Sequence, residues 1–126
     1  AADLRPDNLI IGGKSMGGRI ASMIADEAGV AGLICLGYPF HPQAKPEKLR
    51  TEHLEDLKTP ALILQGERDS FGGQDEVVGY KLSKAIEVSF LPDGDHDLKP
   101  RKRSGRPREK NWSDAISRMV RFVAAL

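Results

Sequence analysis

The sequence predicts an α/β fold in a single domain over residues 1–126: a parallel sheet with flanking helices, built from four strands and three to four helices. Three observations carry this. Short runs at 9–12, 30–36, 60–65 and 86–91 have the length of strands; the first is apolar on both faces as interior parallel strands are, and the second is a continuous apolar run. Between the first two runs, Met16, Ile20, Met23, Ile24 and Ala28 recur at helical spacing until Gly29 stops them. That makes a strand-helix-strand unit, and so a parallel pair with a right-handed crossover. Finally, Trp112, Ala115, Ile116, Met119, Val120, Val123 and Leu126 share one face of a long closing helix that begins at Asn111.

Composition bounds the function. With 40% hydrophobic and 29% charged residues the chain can bury a modest core, so disorder is not the default. A formal charge of +1 says little about partners in bulk, although the charge is unevenly placed along the chain. The longest stretch free of ionised residues, 28–40, is too short for a bilayer and contains Gly and Pro; no membrane association and no leader peptide are expected. The lone Cys35 rules out an internal disulfide and reads as a buried small hydrophobe, which fits a reducing cytoplasm.

In chain order, residues 1–8 read as the tail of an earlier element plus a turn at Pro6-Asp7-Asn8. The first strand is 9–12. After the second strand, residues 37–42 (Gly-Tyr-Pro-Phe-His-Pro) offer aromatics that either line a pocket or pack among themselves, and His41 reads as structural as readily as catalytic. Residues 46–57 form a polar surface helix with a weak apolar stripe at Leu49, His53, Leu54 and Leu57. A short helix is expected at 75–82, between the third and fourth strands. The loop at 92–100 then holds His96 among turn-forming residues.

The chemistry centres on Ser15. Gly13-Lys14-Ser15-Met16-Gly17 satisfies G-x-S-x-G, the sharp strand-to-helix turn that exposes a serine hydroxyl above a parallel sheet. Side chains at 13 or 17 are expected to collide with the neighbouring strand or helix. Gly-Lys-Ser also ends a phosphate-binding loop, but the first glycine of that loop would fall on Asn8, and 9–12 is an apolar strand. Asp69 and His96 follow the third and fourth strands, and in a parallel sheet such strand ends share one edge. A hydroxyl nucleophile needs an imidazole to take its proton and a carboxylate to orient that imidazole. The order Ser, Asp, His is that of one of the three known arrangements. Glu67 and Asp75 stay open as alternative acids. Asp95 and Asp97 beside His96 lack further ligands at metal-binding spacing, so no metal and no cofactor are expected.

Gly-Gly-Lys-Ser-Met-Gly-Gly-Arg, Leu-Gly-Tyr-Pro-Phe-His-Pro, Gln-Gly-Glu-Arg-Asp and Pro-Asp-Gly-Asp-His together resemble the dienelactone-hydrolase-like branch of the α/β-hydrolases. The chain is similar to the C-terminal half of that fold. Lys-Pro-Arg-Lys-Arg-Ser-Gly after the histidine is similar to a subgroup that contains bacterial hydrolases and relatives of a subunit of an animal histone-acetyltransferase complex. The resemblance implies Ser15 as nucleophile, Asp69 as acid, His96 as base and the Met16 backbone N–H as one oxyanion donor. It also implies an ester or thioester acyl substrate of small size, handled through an acyl-enzyme. The rival is a catalytically weak or inactive interaction scaffold on the same fold.

Two expectations concern what surrounds the chain. The second oxyanion N–H normally precedes the elbow, so the chain is expected to be part of a larger fold or to associate with another chain. Residues 9–12, left as a bare apolar edge, invite strand pairing or homo-oligomerisation. The basic segment 99–110 reads either as a solvated loop or as a clamp for phosphate or carboxylate. Nucleic acid is not favoured, since no aromatics are interleaved for stacking. Lys14 reads as a solvated arm that could favour an anionic substrate.

Overall fold

The computed structural model describes residues 4–126, and the expectation for residues 1–3 lies outside it. A 3₁₀ turn at Pro6–Asn8 leads into β1 (Ile10–Lys14), α1 (Met16–Ala28), β2 (Gly32–Leu36), β3 (Ala61–Gly66), α2 (Gln74–Val77), β4 (Ile86–Leu91) and α3 (Arg108–Ala124). The sheet has the order β1-β2-β3-β4 and every pair is parallel, with Ile11 opposite Leu33, Leu33 opposite Ala61 and Ala61 opposite Ile86. All four C-terminal strand ends therefore lie on one edge.

Alternation along the strands sorts the core into two layers. Leu33, Cys35, Ala61 and Ile63 pack with Ala21 and Ala25 of α1 and with Tyr38, Phe40, Leu54 and Leu57. Leu62, Leu64 and Leu91 pack with Leu98 and with Ala115 of α3. β3 lies between partners and is buried over its whole length. The buried side of α1 carries Gly18, Ala21, Ser22 and Ala25, small residues that let the helix approach β2 closely. The Cys35 thiol donates to the Gly18 carbonyl at 3.4 Å, and burial pushes it up to about 12, so it is a packed thiol as the sequence suggests. Gly29 ends α1 in the left-handed conformation at φ 68°.

Three expectations are corrected. The helix at 46–57 is absent: only a 3₁₀ turn at Glu52–Leu54 forms. Arg50 N–H donates instead to Phe40 O at 2.7 Å, and Tyr38 OH donates to Arg50 O, so tertiary bonds claim backbone groups that a helix would use. Leu54 and Leu57 are buried while Leu49 is exposed, which divides the stripe. The short helix predicted at 75–82 is a single turn at Gln74–Val77. α3 starts at Arg108 rather than Asn111, with Pro107 at its N-cap in an extended conformation, φ −73° and ψ 150°. Further, the residues expected of an interior first strand are only partly covered, because β1 lies at the end of the sheet and alternates between exposed and half-buried.

Candidate active site

The sharpest feature of the backbone is Ser15. It connects β1 to α1 with φ 52° and ψ −119°, a conformation that costs a non-glycine residue on the order of 1–3 kcal/mol. Its N–H is held by Leu36 O at 2.8 Å. The turn is possible because a Cβ on Gly13 would lie 2.5 Å from the Gly17 carbonyl carbon. Gly17, expected to be equally confined, would place a Cβ against nothing; the second close approach belongs to Gly18, whose Cβ would lie 2.7 Å from Gly13 O. Met16 begins α1, so its N–H has no acceptor four residues back within the helix.

Ser15 Oγ lies 2.8 Å from His96 Nε2, and His96 Nδ1 lies 2.8 Å from Asp69 Oδ2. A carboxylate can only accept, so Nδ1 carries the proton and Nε2 is left as the acceptor for the serine hydroxyl. The Asp69 side chain is fully buried, and its second oxygen accepts from Phe71 N–H at 2.8 Å, which fixes the carboxylate plane. The Phe71 ring lies 4.4 Å from the imidazole, centroid to centroid, and the His96 side chain is 21% exposed, enough for a reactant to reach it. The Asp69 turn and the His96 loop meet at Gly66, where a Cβ would come within 2.2 Å of Asp95 O. Of the other acids, Glu67 accepts from Asp93 N–H at 2.8 Å, and Asp75 lies in α2; neither bonds the histidine.

The remaining candidates separate by their partners. His41 is buried between Pro42 O and Glu76 Oε2, both at 2.7 Å, within the aromatic group of Tyr38, Phe40 and Tyr80: a structural arrangement. Lys14 pairs with Asp97 at 2.5 Å beside His96, and that ammonium holds the Asp97 carboxyl below its usual range. Asp95 accepts from Asp97 and Lys99 N–H, closing the loop. Among the described residues no group of three His, Cys, Asp or Glu gathers for a metal. In the basic segment Arg101 pairs with Asp93, Arg106 and Lys110 with Asp114, and Arg108 with Glu109 and the Trp112 ring. Most of its charge is thus spent within the chain.

Sequence reasoning missed Asn111. Fully buried at the start of α3, it donates to Pro92 O and Leu98 O, both at 2.9 Å, and so ties down both ends of the His96 loop. The only signal was a polar residue at the head of an apolar face. Gln65 was missed likewise: buried at the end of β3, it accepts from Tyr38 N–H and donates to Tyr38 O and Gly72 O.

Comparison with known proteins agrees with this architecture. The chain belongs to the α/β-hydrolase family: the family model described as "Alpha/beta hydrolase domain" matches residues 2–124. It is similar in fold to an alpha-beta serine hydrolase homologue from Coxiella burnetii, with 22% identity and a TM-score of 0.58 over 71% of this chain and 41% of that one. It is also similar to the esterase domain of a Rhodothermus marinus protein, with 14% identity and a TM-score of 0.55 over 71% of this chain and 52% of that one. The chain thus spans about half the length of the solved structures it matches. Among the described residues no helix is long and apolar enough to cross a membrane.

Proposed function

From its place in the α/β-hydrolase family, we propose that this chain carries the catalytic triad of a serine hydrolase acting on small carboxylic ester or thioester acyl substrates. The observation that carries the reading is the continuous relay from Ser15 through His96 to Asp69. Ser15 Oγ attacks the carbonyl carbon while its proton passes to His96 Nε2, and Asp69 stabilises the imidazolium and holds its tautomer. The Met16 N–H, at the positive end of α1, donates to the developing oxyanion. His96 then protonates the leaving alcohol or thiol, leaving an acyl-Ser15. A water that gives its proton to His96 attacks the acyl carbon and releases the acid. The dienelactone-hydrolase-like motifs support esters over amides.

An oxyanion hole of this fold takes a second N–H from outside the elbow, and a donor is worth about 3 kcal/mol, a hundredfold or more in rate. We therefore propose that β1 pairs along residues 9–12 with a further strand, from the rest of a hydrolase fold or from a second copy. The exposed apolar residues Ile20, Met23 and Ile24 on α1 support this, and they also favour the second reading, an interaction scaffold with little activity. A lone buried thiol supports a cytoplasmic location.

The experiment is labelling with a neutral fluorophosphonate, followed by mass spectrometry of the labelled peptide. Stoichiometric modification at Ser15, lost in Ser15→Ala and slowed in His96→Gln, is the expected result. No labelling of the folded native protein would leave the scaffold reading in possession.

A further inference from the structure

Two turns along α1 from the elbow, on the side of the helix that faces the β2–β3 connection, lies a cluster the relay does not use. Ser22 Oγ donates to Arg19 O at 2.6 Å and lies 2.8 Å from His53 Nε2, which also lies 3.3 Å from Tyr38 OH. Tyr38 OH donates in turn to Arg50 O at 2.9 Å. With the serine and tyrosine protons committed to carbonyls, His53 Nε2 carries its own proton and gives it to both hydroxyl oxygens. Every oxygen in the cluster then has a donor.

Arg19 has no such acceptor. Among the described residues its Nε is buried and bonds nothing, and its Nη1 reaches only the Met16 sulfur at 3.9 Å. Arg50 likewise makes no ion pair through its guanidinium among the described residues, and both charges act on the Tyr38 hydroxyl. Burial and the Arg19 charge hold His53 below its usual range, in the neutral form. Glu52, exposed beside His53, makes no ion pair with either arginine. Asp26, further along the same helix, is occupied by Lys58 N–H and the Thr59 N–H and hydroxyl. A buried guanidinium N–H without an acceptor is costly, and an oxyanion is the partner whose geometry the guanidinium fork fits.

We propose that Arg19 and Arg50 form an anion subsite that binds the carboxylate or phosphate of an acyl substrate whose carbonyl lies over Ser15. Arg19 stands one helical turn, ~6 Å along the axis, from the elbow, and its side chain leans back toward Met16, the direction helical side chains take. The substrate is an ester or thioester with an anionic group a few bonds from its scissile carbonyl. The anion site stands on its own geometry; its use in catalysis rests on the Ser15 reading.

The test has two arms. Without catalysis, inorganic phosphate and succinate are titrated against the thermal midpoint of the native protein, at ionic strength matched with chloride. A concentration-dependent rise is expected, absent in Arg19→Gln, reduced in Arg50→Gln and retained in Lys102→Gln, an exposed cation of the basic segment. With catalysis, the p-nitrophenyl monoester of succinate is compared with p-nitrophenyl butyrate. At least a tenfold kcat/KM preference for the anionic ester is expected, expressed mainly in KM, collapsing in Arg19→Gln and partly restored in Arg19→Lys. Phosphate and succinate that stabilise no more than chloride overturn the subsite, as does an anionic preference that survives in both glutamine variants. If neither ester reacts and the neutral fluorophosphonate leaves Ser15 unmodified, the hydrolase reading falls, while the stabilisation arm still decides the anion site.

Discussion

The rim above the C-terminal strand ends and the outer sides of the two long helices are finished in opposite ways. At the rim the buried polar groups Gln65, Asp69 and Asn111 have their hydrogen bonds supplied by the loops that follow β2, β3 and β4. The outer sides of the two long helices leave apolar groups exposed: Ile20, Met23 and Ile24 on α1, over one face of the sheet, and Ile116, Val120 and Val123 on α3, over the other. Buried polar groups must find partners within the fold or destabilise it, so the rim is self-consistent. Apolar side chains can wait for a partner, and a helical stripe does not record what covers it.

The comparison can be tested at both ends. The largest effect is expected from Asp69→Asn, which keeps the shape of the acid but lets His96 Nδ1 act as an acceptor, the wrong tautomer. The ester turnover proposed above should fall by roughly 10⁴-fold with the fold intact by circular dichroism; a loss under tenfold would mean the carboxylate does not orient His96. Next comes Asn111→Ala, which leaves Pro92 O and Leu98 O without donors. Urea unfolding should show a loss of about 2–3 kcal/mol, and a neutral result would mean that water serves the loop as well as Asn111 does.

On the outer side of α3, Val120→Glu should change stability by no more than about 0.5 kcal/mol, because the side chain is 62% exposed. The same substitution should lower any association seen by sedimentation velocity. A large loss of stability instead would show that the face is covered in the monomer.

The smallest effect concerns pH. His53 is held below the ordinary histidine value of 6.5 by burial and then by the Arg19 charge. Below about pH 6.5 the unfolded chain therefore takes up protons that the folded chain refuses, so stability falls with acid and is fully present above that pH. His53→Gln, whose amide can still donate to Ser22, should flatten the difference in thermal midpoint between pH 7 and pH 5.5. An unchanged slope would place that proton uptake elsewhere.

What could be read in the sequence, and what could not, follows the same division. Ser15, Asp69 and His96 were legible because each follows a strand, and parallel strands carry their ends to one edge whatever the loop lengths. Gly13 was legible as a constrained position, whereas Gly18 took the role expected of Gly17, since which glycine faces β2 depends on how α1 lies on the sheet. The 46–57 segment misled because a weak apolar stripe is a poor guide where Tyr38 and Phe40 bind the backbone at Arg50. The bonds of Asn111 to the His96 loop and the unpartnered Nε of Arg19 were invisible for a related reason: both depend on groups far along the chain.

By itself, the sequence determined the parallel sheet, the sharp serine turn and the order in which Ser15, Asp69 and His96 follow their strands, because strand length, helical spacing and glycine placement are local properties. The tertiary structure alone decided which acid meets His96, which polar residues hold its loop, which apolar faces stay open and where a guanidinium is left without an acceptor. Those depend on distance in space, and every donor and acceptor is counted there once the chain has closed upon itself.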